Sequence, residues 1–347
     1  MIRFDCDYSE GAHPNILESL INSNMEQTPA YGKDGFCESA RRLIRAACER
    51  EDMDVHFLAG GTQANMTVIS AALRPHQAVI SPETGHIANH EAGAIEATGH
   101  KVITIATANG KIHADQARAL IDAHWDASNH EHKAQPGMVF LSQPTETGLI
   151  YNKSELTAFH KLCREKGVLL YVDGARLGYA LASEENDVSI ADLAELCDVF
   201  YIGGTKVGAL FGEAVCICDE SLKKDFRYHI KQRGGLLAKG RVLGLQFEAL
   251  FKDDLYFKIS KKAVNQAMRI KTAFKELGCD FLYDSTTNQQ FPILSGTALD
   301  ELSKRYFFLV WKKIEDERTA VRFVTSWATK DESVDSLVED IGKLTRL

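Results

Sequence analysis

An α/β fold, with a mostly parallel sheet followed by a smaller α+β unit, is the architecture that the order of apolar segments predicts. Three observations lead there. Seven apolar runs of strand length lie between about residues 15 and 240. They lack the polar alternation of a half-exposed strand, as expected when helices cover both faces of a sheet, and amphipathic segments of helical length separate them. Past about residue 240 the alternation gives way to one long helical stretch and several short strands.

In chain order, the expected strands are 55–59 (VHFLA), 78–81 (AVIS), 101–105 (KVITI), 138–142 (MVFLS), 169–173 (LLYVD), 199–202 (VFYI) and 214–218 (AVCIC). Helices are expected at 62–73, 90–98, 153–166 and 188–196 between them. A long helix follows over 242–277, with Gly278 as its stop. Shorter strands near 291–294, 307–312 and 321–326 and a last helix over 334–344 complete the α+β part. The division is read as a large domain over 1–245, with residues 1–14 as an arm near the active site, and a small domain over 246–347. A ligand cleft between the two is the natural expectation.

Composition excludes several classes. At 45% hydrophobic and 25% charged residues the chain reads as an ordinary globular protein, and a net charge of −8 leaves no footprint for nucleic acid or an anionic membrane. The opening MIRFDCDYSEG has no apolar signal core and no run reaches a membrane span, so a cytoplasmic protein is expected. Eight scattered cysteines without a CxxC pair read as reduced, buried thiols. The pairs His86…His90 and His130…His132 lack further ligands nearby, and no metal site is assigned.

Three strand ends carry candidate chemistry. In HFLAGGTQAN a strand ends at Gly60-Gly61-Thr62 and a helix begins at once, a phosphate cradle of free amides or simply a tight turn capped by Thr62. In YVDGARLGYAL, Asp173 closes a buried strand and Arg176 follows, either as an acid for a ring nitrogen beside an oxyanion-binding guanidinium, or as a buried ion pair. In VFYIGGTKVGALFGEA, Lys206 stands alone among small and apolar residues. Poor hydration lowers an amine's pKa and frees its lone pair for a carbonyl, although an isolated turn lysine more often reaches out to water. Together, a phosphate cradle, an acid and a nucleophilic amine are the three handles of a pyridoxal phosphate site.

With those motifs, and with AYGKD, ETGHIANHEAGA and KQRGGLLAKGRVLG, the sequence resembles the threonine aldolase (β-eliminating lyase) family of fold-type-I pyridoxal phosphate enzymes. The similarity runs over most of the chain and is nearest to the low-specificity L-threonine aldolase and phenylserine aldolase branch. The resemblance implies a transferase-like fold with a mostly parallel seven-stranded sheet and a small C-terminal domain. It implies aldol cleavage of L-threonine, L-allo-threonine or a related β-hydroxy-α-amino acid to glycine and an aldehyde, with β-elimination as the alternative. Lys206 would hold the coenzyme aldehyde and Asp173 its ring nitrogen, with Gly61, Thr62 and Thr205 on the phosphate. His86 would stack on the ring and handle the substrate hydroxyl proton. Arg176 would reach the ring oxygen and the substrate carboxylate, and Arg322 and Ser9 that carboxylate. Tyr31 and Lys231 would enter from a neighbouring subunit, which implies a homodimer or homotetramer. Two departures stand out. Glu146, in SQPTETG, takes the place of a family histidine, and Ala238 that of a phosphate-facing arginine, with Lys239 beside it.

Overall fold

Both ends of the chain meet in the smaller part of the molecule. In the computed structural model, which describes residues 1–314 and 318–344, β1 (Ile2–Arg3) pairs in parallel with a strand from near the other end. Seven strands then build the main sheet: β2 (Asp54–Leu58), β3 (Gln77–Pro82), β4 (Lys101–Ile105), β5 (Gln135–Ser142), β6 (Leu169–Asp173), β7 (Val199–Gly203) and β8 (Glu213–Ile217). All seven expected strands are present, with ends shifted by up to a few residues. Their order is β2-β8-β7-β6-β5-β3-β4. Only β8 runs antiparallel to its neighbours. The loop between β7 and β8 is too short for a crossover, so the chain can only turn back.

Period-2 alternation sends side chains of each strand to opposite faces. Phe140, Tyr171 and Tyr201 pack in one layer, while Val172, Phe200 and Ile202 pack in the other. Both layers are buried, at about 1.5–3 kcal/mol for each large apolar side chain removed from water, which is why these strands look uniformly apolar in the sequence.

Two helices differ from expectation. The segment 90–98 is not one helix: a short helix, His86–Asn89, precedes it and a single 3₁₀ turn, Glu96–Thr98, ends it. Ala92 and Gly93 adopt φ of 50° and 73°, which no α-helix tolerates. The long helix is two, Arg241–Phe251 and Leu255–Leu277, broken where Asp253 and Asp254 take φ of 53° and 58°. Residue 245 lies within the first of these, which packs along helix Gly35–Ala47.

The C-terminal strands are β9 (Gln289–Gln290), β10 (Ile293–Leu294), β11 (Tyr306–Phe307), β12 (Leu309–Lys313) and β13 (Thr319–Val324), with helix Asp331–Lys343 last. β13 pairs antiparallel with β10, β12 and β9, and β11 is the partner of β1. The N-terminal arm is stitched in beside them. Phe4 donates its amide to Phe307 O at 2.7 Å and accepts at its carbonyl from the Val324 amide at 2.7 Å. The expected C-terminal unit, 246–347, includes residues 315–317 and 345–347, which lie outside the described ones. Among the described residues no helix is long and apolar enough to cross a membrane.

Candidate active site

The C-terminal ends of the parallel strands open into a cavity of about 580 Å³. Gly61, Thr62, His86, Asp173, Arg176, Thr205, Lys206 and Arg322 all line it. Open α/β sheets bind ligands at this edge because the loops there diverge and the helix N-termini point inward.

Three local features converge on the cavity. Helix Gly61–Ala72 starts with no side-chain cap, so the amides of its first turn face outward unspent. Gly61 is tightly placed: a Cβ there would lie 3.1 Å from Tyr201 Oη. At the end of β6, a Cβ on Gly174 would fall 1.9 Å from Tyr201 O, so only glycine lets the Asp173 turn lie against β7. That close approach sets Asp173 beside the loop carrying Lys206. The Lys206 carbonyl in turn accepts from Tyr179 Oη at 2.6 Å, which anchors the loop.

Asp173 is 5% exposed and well held. Its Oδ1 accepts from Tyr201 Oη at 2.5 Å and the Ala175 amide at 2.9 Å, and its Oδ2 from Asn65 Nδ2 at 3.3 Å. The alternative of an Asp173–Arg176 ion pair is not what forms. Arg176 instead donates through Nε and Nη2 to Asp7 at 2.7 and 3.0 Å, and Asn288 supplies a further donor to Asp7 at 2.9 Å. Asp7 comes from the N-terminal arm, so the local D-G-A-R spacing could not reveal it. Held this way, Arg176 keeps Nη1 for a ligand.

Burial, with Arg176 adding to it, lowers the Lys206 pKa from its ordinary value; Asp7 and Asp173 oppose the shift. Burial likewise raises Glu146. Glu146 Oε1 accepts from the His86 amide at 2.9 Å and Ser142 Oγ at 2.8 Å, so this side chain orients the His86 turn.

His86 is part of a chain that sequence reading missed. Its Nδ1 lies 2.8 Å from Glu91 Oε1, which also accepts from Asn65 Nδ2 at 2.6 Å, and Asn65 Oδ1 accepts from Tyr171 Oη at 2.8 Å. With Glu91 at Nδ1, Nε2 is the ring nitrogen left for a ligand in the cavity that His86 lines. Asn65 therefore links the histidine's carboxylate to Asp173.

Arg322, on β13, stacks over Trp311 with its guanidinium 5.4 Å from the ring centre. Its Nη1 and Nη2 donate to Gln289 Oε1 at 3.2 Å and Asp5 O at 3.0 Å, and its buried Nε has no partner among the described residues. Burial and the nearby Arg176 lower its pKa, the signature of a cation short of counter-charge on one side. Ser9 is not on the cavity wall; its neighbour Tyr8 is. Tyr31 and Lys231 lie together elsewhere, Lys231 Nζ 5.0 Å from the Tyr31 ring centre, and neither lines the cavity. Ala238 is nearby, its carbonyl accepting from the Tyr31 amide at 3.0 Å.

A buried amine, a buried acid and an uncapped helix N-terminus around one cavity at the carboxyl edge of this seven-stranded sheet define the class: a fold-type-I, transferase-like α/β fold. The aspartate aminotransferase of Thermus thermophilus superposes with a TM-score of 0.70 at 13% identity, covering 99% of this chain and 91% of that one, which shows the fold alone. The chain belongs to the beta-eliminating lyase family, whose model matches residues 9–296. It is 30% identical to a low specificity L-threonine aldolase of Pseudomonas aeruginosa over 98% of this chain and 96% of the relative. A solved threonine aldolase of Leishmania major shares 42% identity and superposes with a TM-score of 0.96 over 99% of both chains.

Proposed function

We propose that the chain is a pyridoxal 5′-phosphate-dependent aldehyde-lyase. It cleaves L-threonine, L-allo-threonine and related β-hydroxy-α-amino acids, phenylserine among them, to glycine and an aldehyde. The observation that carries this reading is the meeting of Lys206, Asp173 and the uncapped helix Gly61–Ala72 around one cavity. The similarity to named threonine aldolases supports it.

The residues fit the coenzyme. The amides at Gly61 and Thr62 and the Thr205 hydroxyl would hold its phosphate, Asp173 its ring nitrogen and Lys206 its aldehyde. When bound, pyridoxal phosphate supplies the electron sink that makes the Cα–Cβ bond of an amino acid cleavable. Asp173, fixed by three hydrogen bonds, holds a proton on the ring nitrogen, an electrostatic task that needs no reorganisation during reaction. Arg322 and the free Nη1 of Arg176 would clamp the substrate carboxylate and so fix which Cα bond is presented for cleavage. His86 Nε2 takes the β-hydroxyl proton as the aldehyde leaves, and Glu91 on Nδ1 supports the charge that develops on the imidazole.

Tyr31 and Lys231 serve the site of a neighbouring subunit in a homodimer or homotetramer. Their absence from the lining of their own cavity and the exposure of Tyr31 support this. Free, largely buried cysteines suit the reducing cytoplasm.

Holoprotein offered L-threonine is expected to yield glycine and acetaldehyde. Pyruvate and ammonia from a β-substituted alanine, without glycine from threonine, would make it a β-elimination enzyme instead. Lys206→Ala should abolish both the borohydride-sensitive visible absorbance and cleavage; cleavage at the parental rate would overturn the assignment.

A further inference from the structure

The Thr205 hydroxyl has one proton, and in the structure that proton is already committed. Oγ donates to Glu213 Oε1 at 2.9 Å and accepts from the Gly212 amide at 2.9 Å. Glu213 is the first residue of β8, is 3% exposed, and its Oε2 accepts from the Gly204 amide at 3.2 Å. With Glu213 ionised, the hydroxyl hydrogen points at the carboxylate and only a lone pair is left for the cavity. A phosphate arriving there would meet acceptor against acceptor, with a second negative charge one residue behind. Protonation of Glu213 reverses the polarity. A hydroxyl accepts twice and donates once, so Thr205 Oγ can accept from the Gly212 amide and the Glu213 O–H together and turn its own hydrogen to the cavity.

We propose that Glu213 is a proton-carrying positioning residue that makes Thr205 a donor to the coenzyme phosphate only when it is neutral, so that phosphate binding above neutral pH takes up one proton at Glu213. This rests on the pyridoxal phosphate reading above. Geometry supplies the argument, and the local electrostatics agree. Burial pushes the Glu213 carboxyl up to about 8, with Asp173 adding to the rise and the Thr205 hydrogen bond and Lys206 opposing it. The other ionisable groups facing it are Tyr171, Tyr201 and Tyr256, all raised by burial and neutral throughout the range concerned. Lys206 titrates in the same cavity, so the test must separate its effect from that of the phosphate.

Pyridoxamine 5′-phosphate, which forms no bond to Lys206, and pyridoxamine, which lacks the phosphate, make that separation. Binding of each to the apoprotein is followed by fluorescence from pH 6.5 to 9.5. For the wild type, the affinity ratio of the phosphorylated to the unphosphorylated probe is expected to fall about tenfold per pH unit above about pH 8, the signature of one proton. Glu213→Gln carries an N–H donor at every pH, so its ratio should stay flat and match the wild-type value at low pH. Equal slopes in the two proteins would overturn the proposal and leave the coenzyme reading intact. Failure of folded wild-type protein to bind pyridoxamine 5′-phosphate at any pH would sink that reading and the proposal with it. Calorimetry of the wild type in buffers of different ionisation enthalpy covers the case of a variant that does not fold. Uptake approaching one proton per pyridoxamine 5′-phosphate at pH 9, net of pyridoxamine, is expected; zero uptake would refute the coupling.

Discussion

Replacing Asp7 by Asn tests the joint between the N-terminal arm and the large sheet. Asp7 is fully buried and carries both hydrogen bonds from Arg176 and one from Asn288. An asparagine keeps the shape, but its amide nitrogen must face Arg176 Nη2 or Asn288, and the buried guanidinium loses its counter-charge. Breaking a buried pair by removing one partner costs about 3–5 kcal/mol. With an unfolding entropy of about 2.1 cal/mol/K per residue, a chain of 347 residues loses about 0.7 kcal/mol per degree near its midpoint. The variant apoprotein should therefore melt about 4–7 °C below the parent at pH 7.5. The pH dependence has a definite sign. Burial alone would raise the Asp7 pKa, but Arg176 and Lys206 outweigh it and the folded value is depressed. The stabilisation is thus present above the unfolded carboxylate range and disappears as pH falls through the folded pKa, where the two melting curves should converge. Adding Arg176→Met to Asp7→Asn should recover part of the loss, because no unpaired charge remains. A midpoint change below about 1 °C at pH 7.5, or a double variant worse than the single one, would refute the reasoning.

Two further outcomes are expected. Glu91→Gln removes the carboxylate behind His86, so kcat should fall about tenfold or more, with the roughly 10²–10⁴ that a placed proton acceptor supplies as the ceiling, and KM little changed. Glu91→Asp should restore part of it, and an unaltered kcat would show that the imidazole works without this partner. Arg322→Ala should raise the KM for threonine roughly 10- to 100-fold, the worth of charge-assisted hydrogen bonds, while coenzyme absorbance is retained. An unchanged KM would remove Arg322 from the carboxylate site.

Much of the large sheet was legible because its strands are buried on both faces and so appear as unbroken apolar runs. Lys206, Asp173 and the Gly60-Gly61-Thr62 turn were legible for a related reason, since each lies at or just past the end of such a run. The break at Ala92 was not, because alanine in ETGHIANHEAGA is an ordinary helix former and its positive φ is imposed by packing. The kink at Asp253 and Asp254 did leave a trace, since adjacent aspartates are poor helix formers that tolerate the left-handed region, but the apolar periodicity on either side outweighed it. The partners of Arg176 and Asp173 left no local trace. Asp7 meets Arg176 across 169 residues, and Asn65 meets Asp173 across 108. Glu91 left no signal either, since its burial and the turn at Ala92 and Gly93 that brings it back to His86 are visible only in the structure.

The arm has a consequence for how the protein is made. Asp5 waits for Arg322, across 317 residues, and Phe4 for Phe307 and Val324. At roughly 5–20 residues per second of synthesis, that delay is about 15–60 s, during which residues 4 and 5 lack these partners even though Asp7 can already meet Arg176. The mouth of the cavity therefore closes only late in synthesis, and a nascent chain stalled just before Arg322 would carry a finished sheet with an open mouth.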